Sequence, residues 1–198
     1  MKIGVYGGTF NPPHLGHLAA AQAAIDSLGL DKLLIIPAAI PPHKELPPGT
    51  PTAEHRLAMA EKLADALLLP DKVEVSAIEL DRPGKSYTSD TLLDLRQEYQ
   101  DGEFWLLLGT DMFLTLHKWH EPERIVKNAN LCTFRRSPRD RAERFVAQQA
   151  YLKERWPWVK VKTIEIPNLV DISSTRLREL LVQGEGAQYL TPGVYGYI

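Results

Sequence analysis

Gly7-Gly8-Thr9-Phe10-Asn11-Pro12-Pro13-His14-Leu15-Gly16-His17 follows the short apolar run Lys2-Ile3-Gly4-Val5-Tyr6. A strand of that length, two glycines and a run that turns helical at Leu15 predict a strand, a tight loop and a helix start. That arrangement binds phosphate. The glycines leave backbone N–H groups unshielded, and the helix aims its free N–H groups and positive dipole end at the same spot. Residues before a proline avoid the helical region, so the helix is predicted to begin after Pro13. His14 and His17 then sit three apart in its first turn, on one face, where two imidazoles look into an anion pocket. Two plainer readings compete. The histidines are metal ligands, although no other His/Cys cluster completes a first shell, or they are packed, hydrogen-bonded core residues.

Outward from this stretch, short β-like runs alternate with helical patterns. The runs are 2–6, 32–36, 73–76, 104–108, 130–134 and 159–162, and helices are predicted to begin near residues 15, 52, 88, 112, 140 and 174. Leu15, Leu18, Ile25 and Leu28 form a helical stripe in the first helix, and Leu92, Leu95 and Tyr99 in the third. The near-continuous apolar strands at 33–36 and 105–108 imply a sheet covered on both faces. The pattern predicts an α/β fold built on one doubly wound parallel sheet, with the whole chain, residues 1–198, as a single domain.

Four further stretches carry both a plain and a functional reading. The proline-rich segment from Pro37 to Pro51 reads as a stiff surface connection, yet it leaves the C-terminal end of the second strand, the edge where open α/β sheets bind ligands. His43 and Lys44 are therefore placed to reach a phosphate. In Ser86-Tyr87-Thr88, Thr88 is a candidate N-cap for the helix that follows, and helix N-terminal N–H groups also suit a carboxylate. Gly109-Thr110-Asp111 ends the apolar strand 104–108 as a capped turn or a ligand contact. With strand order 3-2-1-4-5 it lies beside Gly7 and Gly8 where the winding reverses, and Asp111 is then a candidate for nucleotide ribose or Mg²⁺. In Ile172-Ser173-Ser174-Thr175-Arg176-Leu177-Arg178, Ser173 or Ser174 caps the helix that Leu177, Leu180 and Leu181 pack down. Three hydroxyls and two arginines around one helix tip exceed what a cap needs.

The Gly7–His17 stretch resembles the (H/T)xGH signature of the nucleotidyltransferase superfamily, and most of all the bacterial nicotinate-nucleotide adenylyltransferases, many of which have Asp where this chain has Asn11. The Ile172–Arg178 stretch resembles the superfamily's second signature, ISSTxxR. The resemblance implies a Rossmann-like nucleotidyltransferase fold that transfers AMP from ATP to nicotinate mononucleotide, with Mg²⁺ across the β- and γ-phosphate oxygens. It also implies that Gly7, Gly8, Thr9, Phe10, His14, His17, Gly109, Asp111, Ile172, Ser173, Ser174, Thr175 and Arg178 surround ATP. Among these, His14, His17 and Arg178 are the catalytic set. His43, Lys44, Tyr87, Thr88, Trp119 and Arg136 would hold the acceptor, Trp119 against the pyridine ring and Arg136 on the mononucleotide phosphate. Some relatives carry Asn in the loop where this chain has Ala38 and Ala39.

A pantetheine-phosphate adenylyltransferase or a cytidylyltransferase shares both signatures, but gives no reason for Pro41-Pro42-His43-Lys44, Ser86-Tyr87-Thr88 and Trp119 together. A class I aminoacyl-tRNA synthetase also uses an HxGH string, yet this chain has no lysine loop of the KMSKS kind. A non-catalytic nucleotide sensor is the alternative outside enzymes. With 23 basic and 25 acidic residues the net charge is −2, which gives no general drive toward nucleic acid or membrane; the arginine run from 135 to 144 reads as a solvated helix face, except that Arg135 and Arg136 end the strand 130–134 at the ligand edge. The lone Cys132 excludes an internal disulfide. No apolar run approaches about 18 residues and no leader pattern is visible, so a cytoplasmic enzyme is expected. Homo-oligomerisation stays open.

Overall fold

The computed structural model describes residues 1–43, 45–135, 142–166 and 172–198. Six strands form one sheet: β1 (Lys2–Gly8), β2 (Lys32–Pro37), β3 (Val73–Val75), β4 (Glu103–Leu108), β5 (Asn130–Arg135) and β6 (Val161–Glu165). Their order is β3-β2-β1-β4-β5-β6, and every pairing is parallel. The expected 3-2-1-4-5 order is thus present with a sixth strand added at the edge. β1 lies between β2 and β4, so the chain reverses its winding beside the Gly7-Gly8 loop.

Around the sheet run α1 (Leu15–Leu28), α2 (Ala53–Asp65), α3 (Thr88–Glu98), α4 (Thr110–Thr115), α5 (Pro122–Asn128), α6 (Ala142–Arg155), α7 (Ser174–Val182) and α8 (Pro192–Tyr195). One core cluster gathers Leu34, Ile36, Leu92, Leu95, Phe104 and Leu106, and a second gathers Leu33, Ile35, Ala20, Ala24, Leu107 and Cys132. Successive residues of β2 and β4 therefore enter opposite clusters, which is why these strands read as unbroken apolar runs. None of the described helices is long and apolar enough to cross a membrane.

Three expectations shift. The buried face of α1 is carried by Gly16, Ala20, Ala21, Ala24, Ile25 and Leu28, whereas Leu15 and Leu18 are only half buried. Small residues let this helix lie close to the sheet. The last strand starts at Val161, opposite Leu131, rather than at 159. Val159 is buried, but its N–H closes a turn onto the Trp156 carbonyl. The short helices α5 and α8 and two 3₁₀ turns, Leu116–Lys118 and Ala187–Tyr189, carry too few residues for a periodic signal.

The central strand leaves no room for a side chain at Gly4 unless its neighbours shift. A Cβ there would stand 2.6 Å from Leu30 Cδ1 and 2.9 Å from Leu33 Cδ1, both fully buried. Gly4→Ala is expected to destabilise by about 1–3 kcal/mol through overpacking, read from denaturant unfolding. An unchanged midpoint would show that the two leucines repack freely.

Candidate active site

At the C-terminal edge of β1 the chain turns sharply through Thr9 and Phe10 before α1. His14 is the N-cap of that helix, with extended backbone, and its Nδ1 accepts the Gly16 N–H at 3.1 Å. His17 Nδ1 accepts the His14 N–H at 3.2 Å, which completes a reciprocal capping box in place of the usual Ser and Glu. With both Nδ1 atoms acting as acceptors, the neutral rings carry their protons on Nε2. The two rings lie 3.9 Å apart between centroids. They differ in access: His14 is 1% exposed, whereas His17 lines a cavity.

That cavity, of about 390 Å³, runs along the edge where β1, β2 and β4 end. Gly7, Gly8, Thr9, His17, His43, Thr88, Gly109 and Trp119, all expected on sequence grounds, line it together with Pro41, Pro42 and Glu79. The Trp119 ring meets the His43 ring at 4.6 Å and 37°, and the Tyr87 ring meets His120 at 4.2 Å and 34°. Burial shifts the His43 imidazole below its ordinary value, toward the neutral form. The expected cap at Thr88 falls one residue earlier. Tyr87 is the N-cap of α3 and makes no side-chain cap bond, which leaves Thr88 as the first helical residue at the cavity wall.

The C-terminal signature reaches the same loop from the other side. Ser173 caps α7 by accepting the Arg176 N–H at 3.2 Å. Ser174 Oγ donates to the Pro12 carbonyl at 3.0 Å, and Arg178 Nη1 donates to the Asn11 carbonyl at 2.7 Å. Arg178 Nη2 also donates to Thr175 Oγ1 at 3.3 Å. Ile172 is buried with Leu63, Leu177, Leu190 and Val194, so it anchors the tip rather than facing the cavity. Residues more than 160 positions apart are thereby pinned into one surface.

Asn11 is itself buried, and its Nδ2 donates to Thr50 Oγ1 at 3.4 Å while Thr50 donates on to the Pro47 carbonyl. A carboxylate at position 11 has no proton for that bond, so the amide suits this loop. Phe10 is 1% exposed and packs edge-on to Tyr6 at 5.7 Å. Asp111 is exposed in the first turn of α4. Lys44 and Arg136 lie outside the described residues.

Two residues of this region carry little sequence signal. Arg56 in α2 is 1% exposed and gives its guanidinium to the Thr9, Ala38 and Ala39 carbonyls. Its one trace in the sequence is phase, since 56 shares a helical stripe with the buried Met59, Ala60 and Leu63. Glu79, in a run that reads as surface, is 7% exposed and accepts the Thr91 hydroxyl at 2.7 Å. Burial pushes its carboxyl above the ordinary 4.5, against the Thr91 and Ser86 hydroxyls and the Arg82 charge, which pull it down.

A raised folded-state value means that Glu79 favours folding fully below about 4.5, and that this contribution is lost as pH rises through the raised value. Glu79→Gln keeps a hydroxyl acceptor without the charge. Its stability relative to the parent is expected to grow from pH 4.5 toward neutrality, measured by thermal unfolding across that range. A pH-independent difference would mean that the carboxyl titrates alike in both states.

With this geometry established, comparison with known proteins gives one answer. The sequence model of the cytidylyltransferase-like family matches residues 5–180. A protein of Exiguobacterium sibiricum with the description "Probable nicotinate-nucleotide adenylyltransferase" is 34% identical over 192 residues, covering 97% of this chain and 92% of its own. One of Geobacter sulfurreducens with the same description is 37% identical over 209 residues, with coverage of 97% and 92%. The structure of Plasmodium falciparum nicotinic acid mononucleotide adenylyltransferase complexed with NaAD superposes with a TM-score of 0.81 at 20% identity, over 100% of this chain and 94% of that one, and so shares the fold. With a family match over residues 5–180 and relatives 34% and 37% identical over nearly their full length, the chain belongs to the cytidylyltransferase-like family, among the nicotinate-nucleotide adenylyltransferases.

Proposed function

We infer that this chain transfers AMP from ATP to nicotinate mononucleotide in NAD biosynthesis, and that the reaction takes place at the cavity between β1 and β4. The single observation that carries the site is the pair of bonds from Ser174 and Arg178 to the Pro12 and Asn11 carbonyls. They set a hydroxyl-rich helix tip beside the histidine loop. A phosphate oxygen of the mononucleotide attacks the α-phosphorus of ATP in line. The new P–O bond forms as the bond to the β-phosphate oxygen breaks, and pyrophosphate leaves with the electron pair. The attacking phosphate is already an anion near neutrality, so no side chain need act as nucleophile. Catalysis rests on position and on charge stabilisation.

His17 offers its Nε2 proton to the α-phosphoryl oxygens, with the Thr9 and Phe10 N–H groups beside it and His14 behind, orienting its ring. The tip of α7 meets the β- and γ-phosphates through its free N–H groups, the Ser173 and Thr175 hydroxyls and the remaining Arg178 donors. Ser174 spends its one proton on Pro12, so it acts by holding the loop. On the acceptor side the pyridine ring stacks on Trp119, and the first turn of α3 at Thr88 receives its carboxylate.

Among the described residues no three His, Cys, Asp or Glu side chains gather as a metal cage. We propose that a Mg²⁺ entering with ATP would be met on the protein by Asp111, exposed in the first turn of α4. It would supply positive charge against the phosphate oxygens.

Incubation with ATP, Mg²⁺ and one acceptor at a time tests the reading. Pyrophosphate and nicotinate adenine dinucleotide are expected with nicotinate mononucleotide. Release with phosphopantetheine alone, or with no acceptor at all, would overturn it.

A further inference from the structure

Arg56 has a guanidinium that is 1% exposed, and no ion pair to it occurs among the described residues. Its Nη atoms donate to three backbone carbonyls: Thr9 at 3.0 Å, Ala38 at 2.5 Å and Ala39 at 2.9 Å. Its Nε is buried without a partner. A cation this deeply buried and met only by carbonyl dipoles is costly.

The bonds reveal what the cost accomplishes. In a trans peptide the C=O and the N–H of the next residue point in opposite directions. Arg56 holds the Ala38 and Ala39 carbonyls, and on the far side the Ala39 and Ile40 N–H groups duly meet Ser86 Oγ, at 3.0 and 3.3 Å. The third peptide is built alike. With the Thr9 carbonyl on Arg56, the Phe10 N–H must point away from the guanidinium, and the preceding residue, Thr9, lines the cavity. The backbone there is unusual as well. Phe10 has φ +49, a left-handed conformation that costs an L-residue about 1–2 kcal/mol and persists only when its surroundings enforce it.

We propose that Arg56 is the positioning residue of the anion loop: by anchoring the Thr9 carbonyl beneath the loop it fixes the peptide plane that presents the Phe10 N–H to the α-phosphate, and it locks that loop to the one after β2. This rests on the reaction proposed above. Arg56 touches no substrate. It acts through one peptide group, and its fork spans carbonyls that a single ammonium does not span.

Arg56→Met and Arg56→Lys test it, with ¹⁵N-phenylalanine labelling of both variants and the parent. In the parent, adding a non-hydrolysable ATP analogue is expected to move the Phe10 amide resonance. In Arg56→Met, kcat at saturation of both substrates is expected to fall about 100-fold, the size of a lost oxyanion donor, with the nicotinate mononucleotide dissociation constant within about threefold. Arg56→Lys, which keeps the charge and the fold, is expected to sit between the two. A folded lysine or methionine variant with parental kcat would overturn the proposal. So would a Phe10 amide that ignores the analogue in the parent, whatever the activities. A Phe10 amide that responds in a parent enzyme unable to make the dinucleotide would leave this inference standing and defeat the reaction assigned to the site.

Discussion

Replacing His17 with alanine is expected to lower kcat roughly 100- to 1,000-fold while the nicotinate mononucleotide dissociation constant stays within about threefold. The reasoning runs through the ring's two nitrogens. Nδ1 accepts the His14 N–H, so the neutral ring carries its proton on Nε2, the nitrogen proposed to meet the α-phosphate. A donor aimed where charge accumulates during transfer stabilises the transition state more than either bound substrate. Alanine also strands the His14 N–H at the helix start, which would cost about 1 kcal/mol of stability. Steady-state pyrophosphate release at saturating substrates separates the two effects, since a cap defect lowers the unfolding midpoint without changing turnover per folded molecule. Turnover within a few-fold of the parent would remove His17 from the chemistry.

Arg178→Met is expected to reduce kcat/KM for ATP about 100-fold, more than removal of a charge contact alone would suggest. One Nη group holds the Asn11 carbonyl and the other holds Thr175 Oγ1, so the substitution would let the loop part from α7 and, on the reaction proposed above, would also remove positive charge beside the leaving pyrophosphate. Arg178→Lys keeps the charge but not the two-point geometry, and an intermediate loss is expected. Parental kcat/KM in the methionine variant would mean that the clamp is dispensable and the α7 tip stands apart from the triphosphate.

Both predictions draw on residues that the sequence announces. A Gly-Gly after an apolar run and a Ser-Ser-Thr before an amphipathic run are local patterns, and each codes for a helix tip without help from the rest of the chain. The strands at 33–36 and 105–108 were readable for the same reason: a parallel strand covered on both faces has no polar side to hide. Arg56 and Glu79 are of another kind. Each looks like an ordinary surface charge among charged neighbours, and only the packing of α2 on the β1 and β2 loops, or of the 79–91 segment on itself, takes them out of water. Val159 misleads for a related reason. It alternates like a strand residue, yet its N–H turns back to Trp156 and pairing with β5 waits for Val161.

The clamp between the two signatures also has a consequence in time. A polypeptide emerges from its N-terminus, so Gly7–His17 are made well before Ser174 and Arg178. A chain halted at residue 170 has its glycines and histidines but lacks the bonds to Asn11 and Pro12. Growing or truncated chains therefore cannot close the histidine loop onto the α7 tip, and on the reaction proposed above, transfer would have to wait until the Ser174–Arg178 segment has been made.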